Sequence, residues 1–504
     1  MKESYKKILS GSIFRLSLFS INIVVAFFIM PFIIHSIGDR MYGFWNLVGY
    51  FIGFYGLLDL GLTGAVSRYI AGSIGENNPL NSNYYINTSL FLFSIIGVII
   101  IIISVIIALF SFSICDNPAD ADLFMKTILI LGISTGISFP VRSFKGILTA
   151  LLRFDLLSIF QLVTLILRTG LIYYYLNRGY GVLALSVITF ITSLFEMILI
   201  IYFAFKKSDF LKLRVKYIQG QFMKKLFSYS IFSFIAKITD QLRFNIDGFV
   251  ITAFIGLEAV TIYAIASQII RYFSSLMISI IGVIQPYFSI LHGRNKDDNI
   301  KHLFLFMTKI SIYISCFVCF GFLLWGKQFI IRWIGVDYVE SYKCLVILAA
   351  STTIAMMQLP SVNLIYATSK HKFYSATNSI EGITNLILSL ILVKPFGIVG
   401  IALGTALPMA LIKILIQPYY ICKILKIQRL FYYKMVLKNL LVVILSLVVP
   451  YFISINYIKP DYFILIINAI LSFILYIIFI YTFGFNKAEK RYFFSFIKPF
   501  LIHM

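Results

Sequence analysis

The stretch YGFWNLVGYFIGFYGLLDLGLTGAVSRYIAG, residues 42–72, decides the fold. It carries one aspartate and one arginine in 31 residues and is longer than the roughly 20 apolar residues that cross a bilayer. Similar runs recur along the whole 504-residue chain, which is 60% hydrophobic and 12% charged. Only helices satisfy the backbone of such long apolar segments in lipid, so the sequence predicts an all-α polytopic membrane protein.

The apolar runs predict about fourteen transmembrane helices. They fall near residues 12–35, 43–72, 85–112, 123–148, 157–177, 181–205, 227–254, 259–290, 303–331, 341–367, 374–394, 398–422, 435–456 and 462–483. An even number of spans puts both termini on one side of the membrane. That side carries most of the lysines and arginines, above all in KKSDFLKLRVKYIQGQFMKK at 206–225, so both termini are predicted to be cytoplasmic.

An internal repeat divides the chain into similar halves. At a spacing of 218 residues, Ser12 and Phe14 of the first span pair with Ser230 and Phe232 of the seventh. The same spacing pairs Gly38 with Gly256, just after these spans, and Trp45 with Tyr263, in the second and eighth spans. Six spans per repeat give both halves one orientation, as in transporters that bind cargo between two halves. The predicted organisation is an N-terminal lobe (1–205), a basic cytoplasmic linker (206–226), a C-terminal lobe (227–425), two additional helices (435–483) and a cytoplasmic tail (484–504).

Charged residues inside the spans indicate what the interior binds. Each costs about 2.5–3.5 kcal/mol at a helix centre and normally faces a polar interior. The cations are Arg15, Arg68, Arg142, Lys145, Arg168, Lys237, Arg243, Arg271, Lys309 and Lys413, and the anions are Asp59, Glu196, Asp240, Asp247 and Glu381. Ten cations against five anions predict an interior that suits an anion.

The seventh span has the densest group of charges, in AKITDQLRFNIDGFV at 236–250. On a helix Asp240, Arg243 and Asp247 fall within about 60° of one another. Two interpretations are open. The three side chains form a self-neutralising ladder, or they line a cavity in which a carboxylate exchanges its partner for a proton or sodium ion while Arg243 meets cargo.

For other charged residues within the spans, the sequence does not identify the interaction partner. Arg142 and Lys145 either guide cargo at the cytoplasmic mouth or snorkel to headgroups. Asp59 and Arg68 are nine residues apart, on opposite faces of an ideal helix and about 13.5 Å apart along its axis. Each therefore needs a separate partner, although the glycines at 56, 61 and 64 allow close packing or a bend.

The stretch at 42–72 resembles the second-helix signature of bacterial polysaccharide-biosynthesis transporters, the O-antigen and capsule repeat-unit flippases of the multidrug/oligosaccharidyl-lipid/polysaccharide exporter superfamily. The similarity extends from the first span to about residue 425. It implies a MATE-like fold, with two six-helix lobes around a cationic cavity and two further C-terminal helices. The location implied is the bacterial plasma (inner) membrane.

The resemblance also implies a function and a cargo. The cargo would be an undecaprenyl-diphosphate-linked oligosaccharide, an O-antigen or capsular repeat unit of the kind used in lipopolysaccharide, moved to the outer leaflet by alternating access. Transport would be coupled to H+ or Na+, without a cofactor, and could serve glycan polymerase or ligase machinery. Of the family's cavity arginines, only Arg68 is implied by the resemblance itself, because it lies within the matching motif. The further substrate-binding candidates are chosen by depth and charge: Arg243, Arg271, Arg168, Arg142 and Lys145. The candidate ion-coupling carboxylates are Asp59, Asp240 and Asp247.

Competing functions make different demands on the sequence. A MATE-type cation or drug antiporter would use Asp59, Asp240 and Asp247, but the excess of interior cations disfavours it. An enzyme is not expected, because all five histidines lie at span ends or in loops, and no metal site or catalytic residue is predicted. The net charge of +23 is explained by cytoplasmic loops, so nucleic acid is not a predicted partner.

Overall fold

The computed structural model describes residues 2–114, 117–228, 241, 245–294, 297–368, 370–456, 461–487 and 489–490. These residues form helices joined by short loops, and no strand occurs among them. The prediction of an all-α polytopic membrane protein is confirmed. The chain divides into two compact units, described separately below. The first contains Met1–Thr252 and Gly256–Thr261, and the second contains Ala253–Ile255 and Ile262–Met504.

The first unit is built on long helices that cross at small residues. Its helices are α1 (Lys2–Ile37), α2 (Asp39–Tyr55), α3 (Leu62–Gly75), α4 (Pro79–Leu109), α5 (Ser111–Ile114), α6 (Pro118–Ala150), α7 (Phe154–Leu176), α8 (Val182–Lys206) and most of α9 (Ile246–Phe254). At the crossing of α4 and α6, a methyl group added to Gly97 would come within 2.4 Å of the Gly136 carbonyl oxygen. Glycine at that point lets the two backbones touch, as is common between membrane helices.

The second unit contains helices interrupted by kinks and wide turns. They are α10 (Leu257–Ile281, whose first turn belongs to the first unit), α11 (Gln285–Gly293), α12 (Asp297–Trp333), α13 (Glu340–Met357), α14 (Leu359–Ala367), α15 (His371–Leu411), α16 (Gln417–Leu425), α17 (Arg429–Asn456) and α18 (Tyr462–Phe479). Gly397 breaks α15 with a φ of +57°, which L side chains rarely adopt. A π-helical turn, Ile412–Ile416, follows α15.

The number of spans can be compared with the sequence only in part. Ten helices in the described residues are long and apolar enough to cross a membrane, or twelve if each of two bent pairs is one span. One of the ten, Lys372–Leu425, has 54 residues and contains the break at Gly397. Most of the predicted seventh span, 227–254, lies outside the described residues. The count of fourteen and the six-helix lobes therefore stay predictions.

The stretch that decides the fold is a broken helix. After α2 the backbone makes a 3₁₀ turn, Gly56–Asp59, and then turns through Leu60 (φ +49°) and Gly61 (φ +77°) into α3. The axes of the two parts differ by 41°. The bend that the glycines allow is therefore present, and the ideal-helix placement of Asp59 and Arg68 is wrong, because the break lies between the two residues.

The chain that follows α8 folds back onto the first unit. We call residues 207–226 the docked segment. Leu211, Phe222 and Leu226 within it are buried in the unit's hydrophobic core. Backbone groups of the segment bond to side chains of α4. The segment that the sequence assigns to an interlobe linker is thus packed as part of the first unit.

Candidate functional site

The break between α2 and α3 places a carboxylate in the interior of the first unit. Asp59 ends the 3₁₀ turn, and its side chain is 1% exposed. Its Oδ1 accepts hydrogen bonds from the Thr63 backbone N–H (3.3 Å) and from the Thr63 hydroxyl. Because Thr63 lies in the first turn of α3, the carboxylate satisfies an amide at the start of a helix, a position that favours negative charge.

Arg142 of α6 supplies the cation that Asp59 needs. Its guanidinium lies 3.1 Å from Asp59 Oδ1, and its side chain is 27% exposed. The guanidinium also lies over the Phe139 ring, 3.7 Å from the centroid. A buried carboxylate that lost this partner would cost about 3–5 kcal/mol. This interior pairing disfavours snorkelling of Arg142 to the headgroups, and its guidance of cargo stays a prediction.

Arg142 also lines a cavity of about 430 Å³ in the first unit. Three helices each turn one face towards it. The lining residues are Trp45, Gly49 and Ile52 of α2, Leu131, Ser134, Thr135, Ser138, Val141, Arg142 and Lys145 of α6, and Thr189, Ser193, Glu196, Met197 and Ile200 of α8. The volume falls within the range of small-molecule sites. The wall combines two cations, one carboxylate and five hydroxyls, so it offers charge and hydrogen bonds to a polar ligand.

A second group of charges connects α7 to the cavity wall. Arg168 of α7 donates from Nε to the Thr192 hydroxyl (3.0 Å) and from a terminal nitrogen to the Ser193 hydroxyl (3.3 Å). Glu196, one turn further along α8, interacts electrostatically with Lys145 and with Arg168. One carboxylate is thus set between two cations. Together with the Asp59–Arg142 pair, this makes three cations and two carboxylates at or behind the cavity wall, an excess of one positive charge.

The remaining predicted site residues lie elsewhere or are not described. Arg68 is exposed on α3 and is not among the residues that line the cavity. Arg271 is exposed on α10, in the second unit, and donates from Nε to Gln268 Oε1 (3.0 Å). Asp247 is buried in the first turn of α9. Asp240 and Arg243 lie outside the described residues, so the ladder of the seventh span stays a prediction.

The second unit holds a buried ion pair whose partners the sequence could not assign. Lys413 Nζ lies 3.5 Å from Glu381 Oε2, and both side chains are at most 3% exposed. The ammonium also donates to Asn378 Oδ1 (3.0 Å) and lies 4.8 Å from the centroid of the Tyr374 ring. Lys413 belongs to the π-helical turn after α15. Such turns are frequent at functional positions, although this pair lines no described cavity.

Glu196 and Trp45 are among the lining residues that reasoning from the sequence missed. Glu196 stands among the interior anions, but nothing in its neighbours along the chain selects it. Its signal is the spacing of Thr189, Ser193 and Glu196, which puts three polar side chains on one face of α8. In the part of the chain that the structure describes, no cluster of three or more His, Cys, Asp or Glu side chains could hold a metal ion.

Two solved structures share the fold. The lipid II flippase MurJ, in an inward closed conformation, superposes with a TM-score of 0.72 at 17% identity and covers 94% of this chain and 98% of its own. An inward-facing multidrug resistance MATE family transporter of the MOP superfamily superposes with a TM-score of 0.71 at 16% identity, covering 82% of this chain and 99% of its own. The MATE-like fold expected from the resemblance is therefore present.

Sequence comparison identifies the family. A putative O-antigen transporter of Shigella flexneri is 22% identical over 426 residues, which are 82% of this chain and 97% of that protein. The family model described as polysaccharide biosynthesis protein matches residues 8–292, more than half of the chain. These relatives are transporters and flippases rather than enzymes, as the sequence predicts. With the family model matched across the first unit and its cavity, the chain belongs to the polysaccharide biosynthesis protein family.

Proposed function

We propose that this protein is a flippase. It moves an undecaprenyl-diphosphate-linked oligosaccharide, an O-antigen or capsular repeat unit, from the cytoplasmic to the outer leaflet of the bacterial plasma membrane. The observation that carries the proposal is the cavity in the first unit, where Arg142 and Lys145 lie one turn apart on α6. Membership of the polysaccharide biosynthesis family and the putative O-antigen transporter among its relatives support the same function.

The chemistry of the cavity fits the proposed cargo. A diphosphate carries about two negative charges, and a guanidinium can bind two of its oxygens at once. Lys145 adds a second positive charge on the same face of α6. Hydroxyls such as those of Ser138 and Thr189 can exchange hydrogen bonds with sugar hydroxyls, and the Trp45 ring offers a surface for a sugar face. The polyprenyl tail would remain in the bilayer while the polar groups cross.

The Asp59–Arg142 pair sets what cargo has to replace. The buried carboxylate holds the guanidinium at 3.1 Å. A cargo phosphate would compete with Asp59 for the same cation, and it would win only by supplying more or better-aligned hydrogen bonds. Cargo binding would therefore release Asp59, the residue that ends the 3₁₀ turn at the helix break. Because Asp59 also bonds to Thr63 in the first turn of α3, its release would change the contacts of α3.

Ion coupling and topology complete the proposal. A proton or sodium ion would neutralise a carboxylate when its cation is given to cargo, and the candidates remain Asp59, Asp240 and Asp247. Both termini would be cytoplasmic, as the basic residues indicate. The exported lipid would pass to glycan polymerase or ligase machinery on the outer side.

The competing function is cation or drug antiport of the MATE type. Its cargo would need an anionic or apolar site. Arg142, Lys145 and Arg168, at or behind the described cavity wall, face two carboxylates, Asp59 and Glu196, which leaves an excess of one positive charge. That balance favours an anionic cargo.

A deletion strain of the native host tests the proposal directly. We expect an undecaprenyl-diphosphate oligosaccharide to accumulate on the cytoplasmic side and surface glycan to disappear, and a plasmid copy to reverse both changes. Arg142→Met should fail to restore surface glycan. Arg178→Met should restore it, because Arg178 lies in the loop after α7 with its guanidinium over the Tyr174 ring. Unchanged surface glycan together with new sensitivity to cationic drugs would establish the antiporter instead.

A further inference from the structure

Two asparagines of α4 hold the docked segment as a neighbouring strand would. Asn83 Nδ2 donates to the Phe210 carbonyl (2.7 Å), and Asn83 Oδ1 accepts from the Lys212 N–H (2.7 Å). Asn87 repeats the pattern two residues further on, with the Lys212 carbonyl (2.9 Å) and the Arg214 N–H (2.9 Å). Each side-chain amide thus pairs with alternate backbone groups, and both asparagines are buried. The chain from 210 to 214 is fixed in an extended conformation.

A second set of contacts fixes the following residues. The Thr88 hydroxyl bonds to the Tyr217 carbonyl and to the Gln219 N–H, each at 3.3 Å. The rings of Tyr217 and Phe222 pack on Tyr84 of α4, with centroids 5.4 and 4.9 Å apart. The docked segment is therefore held on both sides of residues 212–216. This degree of fixation is more than a simple connection between helices requires.

The side chains of residues 212–216 are left exposed, although the backbone of Lys212 and Arg214 bonds to the two asparagines. Lys212, Arg214 and Lys216 are exposed cations, and they alternate with Leu213 and Val215, which are 44% and 84% exposed. Leu213 and Val215 are exposed on a backbone that is held in place, and such side chains suit a partially apolar environment. The three cations that alternate with them suit an anionic environment. A membrane interface offers both, since phosphates lie beside the acyl boundary.

The position of the segment agrees with that environment. It leaves the end of α8 and bonds to the first three turns of α4. With 31 residues, α4 is about 46 Å long, whereas a hydrocarbon core of about 30 Å needs roughly 20. Its polar first turns therefore extend beyond the hydrocarbon, into the headgroup layer. Basic clusters beside the ends of spans attract anionic lipids there.

We propose that residues 212–216 form a fixed binding site for the phosphate headgroups of anionic phospholipids. The three cations bind the phosphates, while Leu213 and Val215 enter the acyl boundary. Because Asn83 and Asn87 already order the backbone, little further entropy is lost on binding. This site is separate from the cavity and does not depend on the cargo that the cavity takes.

Native mass spectrometry of the full-length protein in detergent tests the site, with phosphatidylglycerol and phosphatidylcholine as probes. Removing the charges in the variant K212Q/R214Q/K216Q should weaken phosphatidylglycerol binding about five-fold per residue, on the order of a hundred-fold in all, and leave phosphatidylcholine unchanged. The matched control is K423Q/K426Q/R429Q, which removes three exposed cations around the start of α17. It should weaken phosphatidylglycerol binding much less, because it removes only the general attraction of a basic span end. Equal losses in both variants would mean general charge attraction and would overturn the proposal.

A variant that keeps every charge tests whether the site is fixed. Asn87→Leu removes two of the hydrogen bonds that order the segment. Phosphatidylglycerol binding should fall towards that of the triple variant, while the thermal midpoint shows that the protein is still folded. Binding equal to the wild type in folded Asn87→Leu would refute the fixed site, as would a lack of preference for phosphatidylglycerol in the wild type.

Discussion

Arg142→Met should destabilise the protein more than Asp59→Asn, although both break the same ion pair. The Asp59 side chain is 1% exposed, so loss of Arg142 removes the ion pair of a buried carboxylate, a change that costs about 3–5 kcal/mol. The two bonds from Thr63 remain, which puts the expected cost at about 3 kcal/mol. In Asp59→Asn the guanidinium, 27% exposed, still meets the cavity, so only a charge-assisted bond worth about 1.5 kcal/mol is lost.

The double variant turns this asymmetry into a measurement. Since the amide introduced at position 59 would carry no charge, Asp59→Asn with Arg142→Met should cost about 2 kcal/mol, less than Arg142→Met alone and well below the additive sum of about 4.5 kcal/mol. Thermal unfolding of the four purified proteins in one detergent gives the ranking. Additive losses, or equal losses in the two single variants, would refute the reasoning. The folded double variant should still fail to export glycan, because it lacks the guanidinium that binds cargo.

Three further predictions concern packing, the second unit and the docked segment. Gly97→Val should lower the free energy of unfolding by about 1–3 kcal/mol, because its Cβ would meet the backbone of α6. Gly170→Ala, with open space around it, should be neutral or slightly stabilising in the same thermal unfolding experiment. Lys413→Met should reduce the amount of folded protein in the membrane, because it removes the cation that pairs with the buried Glu381 carboxylate. The double variant Glu381→Gln with Lys413→Met removes both charges and should reduce the amount less; equal amounts in the two variants would contradict this. Asn87→Leu should increase tryptic cleavage within the docked segment about 30-fold, as two lost hydrogen bonds are worth about 2 kcal/mol, and a rate equal to that of the wild type would contradict this.

The sequence predicted that Asp59 needs a partner but not which one. The cost of a carboxylate among apolar residues is local information, and the glycines around it correctly allowed a bend. The partner, Arg142, is 83 positions away, and choosing it from ten interior cations requires the crossing of α6 with the broken helix. Arg68, selected from its motif as a cargo-binding residue, has its side chain outside the cavity wall.

The second unit shows the same limit. Lys413 and Glu381 are both conspicuous in apolar sequence, but they are 32 positions apart, with the break at Gly397 between them. Helical periodicity cannot relate two side chains across such a break, because it assumes a continuous axis. The all-α class needed no such relation, since composition and run length alone determine it. Fold class is therefore predictable here where the pairing of charges is not.

The docked segment has a consequence for how the protein is made and how it can be divided. More than 120 residues are synthesised after Asn83 and Asn87 before their backbone partners emerge from the ribosome. A fragment that ended with α8 would expose these amides and leave Tyr84 without its aromatic neighbours. If the protein is expressed as two fragments, the chain should therefore be divided after residue 226. The first unit includes the basic sequence that separates the two repeats, so the first fragment must contain it.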